Sequence, residues 1–245
     1  MRCDVALVAR GLARSRSQAR QLLDAGQVVV AGVAQAKPAT AVTDATPITV
    51  QPDPYVSRAA HKLRHALDDS GLVVSGRVLD AGASTGGFTQ VLLERGATTV
   101  YAVDVGHDQL APVIRADPRV AVTEGLNLRD LTLAHVGGRP VDLVVADVSF
   151  ISLRLLLAPL LGVLAPHGAA FVLVKPQFEV GRGGLDAHGV VTDRAQREAA
   201  VAKVVARAAE LGWPLHWSAP SALAGERGNQ ETFCWFSRSA TAVTG

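Results

Sequence analysis

Apolar and polar positions divide the chain into a short front segment and a longer body. In the first fifty residues, apolar side chains recur at helical spacing over Asp4 to Ala13 (Val5, Val8, Leu12) and over Ser17 to Ala25 (Ala19, Leu22, Leu23), which predicts two short helices. Ser15 or Ser17 can cap the second, and Gly26 stands where a glycine stops a helix. QVVVAG and PITV then predict two small strands. QPDPYV, over 51–56, carries two prolines in four residues and predicts a stiff hinge. The expected organisation is a front domain over 1–50, a linker over 51–57 and a second domain over 58–245, with 239–245 a flexible tail.

From Ser57 the pattern changes. SRAAHKLRHALDDSG predicts one helix, with Ser57 as its cap and Gly71 as its stop. The runs RVLDAGA, TTVYAVDVG, VAVTEG, DLVVADVS and AAFVLVKPQ are nearly continuous in apolar residues, which suits strands buried on both faces of a parallel sheet. Helical patterns fall between or after them, over 87–95, 108–116, 152–164 and 193–211, and two last strands over 215–219 and 232–237 predict an antiparallel edge. The fold class is therefore α/β, doubly wound, with ligands expected beyond the carboxyl ends of the strands. GRGGLDAHG (181–189) is expected to be a mobile loop.

Composition supports a sizeable core: 49% of the residues are hydrophobic and 19% charged, which excludes wholesale disorder. Cys3 and Cys234 make neither a disulfide framework nor a metal cluster, so a reducing cytoplasm is expected. No stretch approaches the ~18 apolar residues of a membrane span, and the start lacks the pattern of a secretion signal. A cytoplasmic monomer that needs no membrane is the expectation. The net charge of +2 is uninformative, but residues 1–60 hold seven Lys/Arg against four acids, a net of +3, and the remainder is at −1. A basic front end suggests a polyanionic partner. Arg14, Arg16 and Arg20 cluster at the second front helix, Arg2, Arg10 and Lys37 can extend the patch, and Arg58 and Arg64 can continue it past the hinge. Their guanidinium forks suit phosphate oxygens; the alternative is a solvated basic face. Few aromatics occur in the front segment, which favours shape and phosphate recognition of folded RNA over base stacking.

The first strand of the body runs into Asp80, Ala81, Gly82, Ala83, Ser84, Thr85, Gly86, Gly87 and Phe88, a glycine turn opening a helix. A phosphate loop needs lysine where Phe88 stands, and a dinucleotide fingerprint needs glycine where Ser84 stands. Asp104, followed by Val105, ends the next strand, where a carboxylate can accept from both hydroxyls of a ribose. A cofactor with a ribose and no pyrophosphate fits best, and S-adenosyl-L-methionine is the common one. The alternative is that Gly86 and Gly87 only permit tight strand–helix packing. Asn127 and Leu128 follow the third strand and can line an adenine, or serve the loop locally.

Four charged residues stand where a core would not ordinarily hold them: Lys62, Asp147, Lys175 and Glu231. The set resembles the Lys-Asp-Lys-Glu tetrad of the FtsJ-type RNA ribose 2′-O-methyltransferases, and GASTGGF is similar to their cofactor loop. SRSQARQLLDAGQVVVAG resembles an S4 RNA-binding domain. With YVSRAAHKL, DAGASTGGFT, ADVSFISL, LVKPQFE and GNQETF in this order, the chain is similar to the TlyA family over nearly its whole length; Ala59 departs from the glycine of SRGA. The resemblance implies a Rossmann-like class I methyltransferase with a seven-stranded, mostly parallel sheet behind a small α+β S4 domain. It also implies 2′-O-methylation of cytidine in ribosomal RNA, on RNA or ribosomal subunits. A ribose hydroxyl must lose its proton as it attacks the methyl group, and a neutral lysine can take it. Lys175 is the expected base, Lys62 the cation that favours its neutral form, and Asp147 and Glu231 orienting groups. No metal is required: His61 and His65 have helical i, i+4 spacing, but Lys62 replaces the glutamate of a zinc-binding helix, and both are expected to be partly exposed. The rivals are a membrane-lytic protein, since the family also carries a haemolysin name, and a non-catalytic S4 RNA-binding protein.

Overall fold

The computed structural model describes residues 1–24, 26–33, 36–225 and 227–238, and only the backbone of Gln21 and Arg182. The tail expected over 239–245 lies outside the described residues. Two compact units emerge, Met1–Pro54 and the body from Tyr55 on.

In the first unit, α1 (Cys3–Ala9) and α2 (Arg16–Asp24) pack beside the antiparallel pair β1 (Val28–Val30) and β2 (Ile48–Val50). Helix α1 stops four residues before the periodicity predicts. Gly11 adopts φ +69°, and the N–H groups of Leu12 and Ala13 turn back to the Leu7 carbonyl. The buried face is also different from the expected one: Cys3, Ala6 and Leu7 are fully buried, whereas Val5, Val8 and Leu12 are half-buried. Cys3, Ala6 and Leu7, with Ala13, Ala19, Leu23, Val28, Val30 and Val42, form the small core. The Ser15 hydroxyl accepts from the Gln18 N–H (3.2 Å) and so makes the cap of α2.

The body is a seven-stranded sheet between helices. Its elements are α3 (Ala59–Ser70), β3 (Gly76–Ala81), α4 (Gly87–Glu94), β4 (Ala97–Val103), α5 (Pro112–Arg115), β5 (Val120–Thr123), β6 (Val141–Ala146), α6 (Leu157–Gly162), β7 (Leu164–Val174), α7 (Arg194–Glu210), β8 (Leu215–Pro220) and β9 (Thr232–Ser237). The strand order is β5-β4-β3-β6-β7-β9-β8. The five strands from β5 to β7 are parallel, and β9 runs antiparallel to both its neighbours. Alternate side chains of β3 serve opposite faces. Leu79 and Ala81 join α6 and α7 around Trp213 and Leu160, and Val78 joins α3 and α4 around Phe88, Phe171 and Phe233.

Two helices are shorter than their patterns. Only Pro112–Arg115 of 108–116 is α-helical, and 152–164 splits into a 3-10 turn at Leu153–Leu155 followed by α6, with Leu164 already in β7. The N-cap of α3 falls at Arg58 instead of Ser57, whose hydroxyl one residue earlier accepts from the Ala59 N–H (3.2 Å), and Gly71 closes α3 at φ +69°. Chain order reverses between β3 and β6, since β3 leads outward to β4 and β5 while β6 leads to β7. The crevice beyond the carboxyl ends of β3 and β6 is where such sheets bind ligands.

Candidate active site

The glycine turn crosses this crevice at the closest distance a backbone allows. Gly82 sits at φ +86°, and a Cβ there would lie 2.6 Å from the Asp147 carbonyl oxygen at the end of β6. The N–H groups of Gly82 and Ala83 both donate to the Val103 carbonyl (2.8 and 3.2 Å), which ties the turn to β4. The Asp104 carboxylate completes the tie: one oxygen accepts from the Ser84 N–H and the other from the Gly106 N–H, both at 2.8 Å. Gly86 and Gly87 do serve tight packing, one against Leu110 and Ile114, the other against Ser57 and the Ala60 nitrogen.

A cavity of about 420 Å³ opens beside the turn, within the range of small-molecule sites. Gly82, Ser84, Asp104, Val105, Asn127, Leu128 and Asp147 line it, with 148–151 closing one side. A smaller cavity of about 170 Å³ shares Gly82, Ser84, Asp147 and Ser149 and adds Ala83, Thr85, Gly87, Phe88, Ser57 and Lys175. Asn127 has a local duty as well, its side-chain oxygen accepting from the Arg129 N–H (3.1 Å). The Phe88 ring points into the core, stacked on Phe233 at 6.2 Å. Asp80 and Gly86 are on neither wall. Asp80 lies fully buried, accepts from the Thr89 hydroxyl (2.6 Å) and has a second oxygen with no partner. Burial above all, with the charges of Asp147 and Asp104, pushes its carboxyl up to about 7.

The four charged residues assemble as two pairs. Lys175 Nζ lies 2.7 Å from Asp147 Oδ1 and donates to the Ser149 hydroxyl (2.8 Å) at the rim of the smaller cavity. Lys62 Nζ meets Glu231 Oε2 at 2.5 Å, with both side chains buried. Lys62 is thus matched to a carboxylate of its own. His61, expected to be partly exposed, is buried at 3% exposure with its ring edge-on to Tyr55, because the face of α3 that carries it turns inward; His65 is half-buried.

In the first unit the buried Asp4 carboxylate holds three half-exposed arginines, with Arg2 and Arg16 at 3.0 Å and Arg20 at 3.7 Å. The hydrogen bond from Arg2 keeps the Asp4 carboxyl far below the usual carboxylate range. Arg10 is a structural tie, donating to the carbonyls of Thr43 and Thr46 (both 2.7 Å). Arg14 and Lys37 are exposed. In the body, Arg58 is exposed at the start of α3, and Arg64 lies over the Tyr55 ring (5.8 Å).

Sequence reasoning missed Ser57, Gln109 and the wall formed by Ser149, Phe150 and Ile151. The signal was within ADVSFISL, where Val148 and Leu153 return to the core while the large apolar Phe150 between them is 90% exposed.

A model of FtsJ-like methyltransferases matches residues 55–238, and a model of the S4 domain matches 1–45. A Mycobacterium tuberculosis relative, the 16S/23S rRNA (cytidine-2'-O)-methyltransferase TlyA, is 53% identical over 96% of this chain and 88% of its own length. The chain belongs to the TlyA family of FtsJ-like methyltransferases. Hemolysin A of Brachyspira hyodysenteriae is 36% identical over 96% of this chain and 99% of its own. A solved structure from Streptococcus thermophilus, named only provisionally as a hemolysin, superposes with a TM-score of 0.74 at 36% identity, covering 98% of this chain and 89% of the other. Among the described residues no helix is long and apolar enough to cross a membrane.

The buried acid makes a pH-dependent contribution of defined sign. The folded-state pKa of Asp80, about 7, lies above its ordinary 3.8, so between these values the folded chain binds more protons than the unfolded one. Stability therefore falls as pH rises through that window and levels off above it. Denaturant unfolding at a series of pH values is expected to show this slope reduced in Asp80→Asn; an identical slope in both chains refutes the assignment.

Proposed function

We propose that this chain transfers a methyl group from S-adenosyl-L-methionine to the 2′-oxygen of a cytidine ribose in ribosomal RNA. The observation that carries the reading is Lys175, held by Asp147 and Ser149 at the rim of a cavity that the glycine turn opens. The name of the M. tuberculosis relative supplies the nucleotide and the position.

The residues present suit a cationic nucleoside. Asp104 and Asp147 line the larger cavity, and their charges raise the cost of ionising the buried Asp80, so the site favours positive charge. Asp104 offers its remaining lone pairs to ribose hydroxyls, Val105 and Leu128 offer apolar walls, and Asn127 a polar edge for adenine. When bound, the cofactor supplies a methyl group on a positive sulfur, which leaves that sulfur with the bonding electron pair as the ribose oxygen attacks.

Every other part of the reaction falls to the chain. Lys175 Nζ takes the proton of the 2′-hydroxyl, while Asp147 and Ser149 keep it aimed. In this reading Lys62 acts with Glu231 as a buried strut. The first unit grips phosphate through Arg2, Arg14, Arg16, Arg20 and Lys37, with Arg58 and Arg64 contributing from the body. The partner is ribosomal RNA or a ribosomal subunit.

Incubation of the chain with labelled S-adenosylmethionine and unmodified ribosomal subunits is expected to label the RNA. Lys175→Ala should lower kcat by about a thousandfold while its cofactor Kd stays close to the wild-type value. Equal turnover by that variant removes the assignment of the base. Asp104→Ala is expected to do the reverse in calorimetry, raising the cofactor Kd about tenfold or more. For the grip, Arg14→Ala and Arg16→Ala should each weaken RNA binding and shrink its salt slope by about one; an unchanged slope in both overturns the phosphate contacts.

A further inference from the structure

Lys175 can act as described only if the segment after β6 keeps its shape, and that shape is not self-supporting. Residues 147–154 leave the sheet and present Asp147 and Ser149 to Lys175, and 147–151 form a wall of the larger cavity. At the centre of the segment Phe150 adopts φ +66°, a left-handed conformation that a non-glycine residue keeps only where its surroundings hold it. With its side chain 90% exposed, Phe150 has little packing of its own beyond the ring of Phe178 at 5.5 Å.

The restraint comes from Glu179. This residue follows the 3-10 turn Pro176–Phe178, four positions after Lys175, and its side chain is 1% exposed. Its carboxylate accepts from the Ser152 hydroxyl (2.7 Å), the Leu153 N–H (2.6 Å) and Arg154 Nε (3.1 Å). One short turn therefore supplies Lys175 to one end of the segment, Phe178 to its middle and Glu179 to its far end. A buried carboxylate tolerates loss of water only when its lone pairs are filled, and here the donors all come from the segment that must be held. Arg154 is the replaceable member: its side chain is 42% exposed, so water can serve it.

We propose that Glu179 is a positioning residue for methyl transfer: it clamps 147–154 to the turn that carries Lys175 and so keeps Asp147 and Ser149 on the lysine. The kinetic part of this proposal rests on the reading of the reaction given above; the clamp itself does not. Glu179→Ala removes all the acceptors, whereas Glu179→Gln keeps one oxygen for Leu153 and loses the charge that faces Arg154.

The test uses the full chain and two readouts. Amide hydrogen exchange is expected to speed up over 148–154, most at Leu153, in Glu179→Ala, with β3, β4 and β6 at wild-type rates. In the methyl-transfer assay the same variant should lose about tenfold or more in kcat, with KM for ribosomal subunits within about threefold, and Glu179→Gln should fall between it and the wild type. Unchanged exchange over 148–154 overturns the clamp, as does acceleration spread evenly over the sheet, which signals general destabilisation. Wild-type turnover by Glu179→Ala overturns the positioning role. A wild-type chain that transfers no methyl group sinks the reading of the reaction, and hydrogen exchange then decides the clamp alone.

Discussion

The body of the chain is organised around a pair of charges taken out of water. Lys62 on α3 and Glu231 just before β9 stand 169 residues apart in sequence and meet at 2.5 Å with almost no exposure. Neither can be buried alone, because an isolated charge in such surroundings costs several kcal/mol, and removing one partner of a buried pair costs roughly 3–5 kcal/mol. The pair therefore holds the helix that precedes the first body strand against the antiparallel edge at the end of the sheet. The backbone makes room for it: a Cβ on Gly225 would lie 2.6 Å from the Glu231 carboxylate. Because Ser57 and Ala59 at the start of α3 line the smaller cavity, this strut also fixes one wall of the site.

A second charged pair does a different job a short distance along the same sheet. Lys175 and Asp147 end neighbouring parallel strands, β7 and β6, and remain partly accessible at 12% and 16% exposure. One pair is sealed from water, the other opens on the smaller cavity. The difference follows from position: strand ends at a topological switch point face the crevice, whereas the α3–β9 contact lies within the packed layers.

The first unit uses the same physics with the signs exchanged. A single buried carboxylate, Asp4, collects Arg2, Arg16 and Arg20 and leaves their guanidinium groups half-exposed on one surface. Arginines held in this way lose less freedom on meeting a phosphate than free side chains do, so ordering within the fold lowers the cost of binding. In the body, Asp104 and Asp147 place carboxylates of the opposite sign on the wall of the larger cavity. The first unit thus presents a cluster of guanidinium groups, and the body a cavity lined by carboxylates.

Much of this was determined by the sequence alone. Continuous apolar runs specify strands covered on both faces, Gly82 and Asp104 specify a turn and the acid it leans on, and Lys62, Asp147, Lys175 and Glu231 stand out as charges inside apolar surroundings. These features are local, so they are legible without coordinates. Pairing is not local. Nothing in the spacing of the four charged residues says that Lys62 belongs to Glu231 and Lys175 to Asp147, nor that His61 turns inward against Tyr55. The end of α1 at Ala9 likewise depends on Gly11 reversing the chain, and Glu179 looks like any acid after a strand until Ser152, Leu153 and Arg154 are found around it. The sequence determined which groups need partners; only the tertiary structure decided which partners they have, because hydrogen bonds and ion pairs act over about 3 Å between residues that the folded sheet alone brings together.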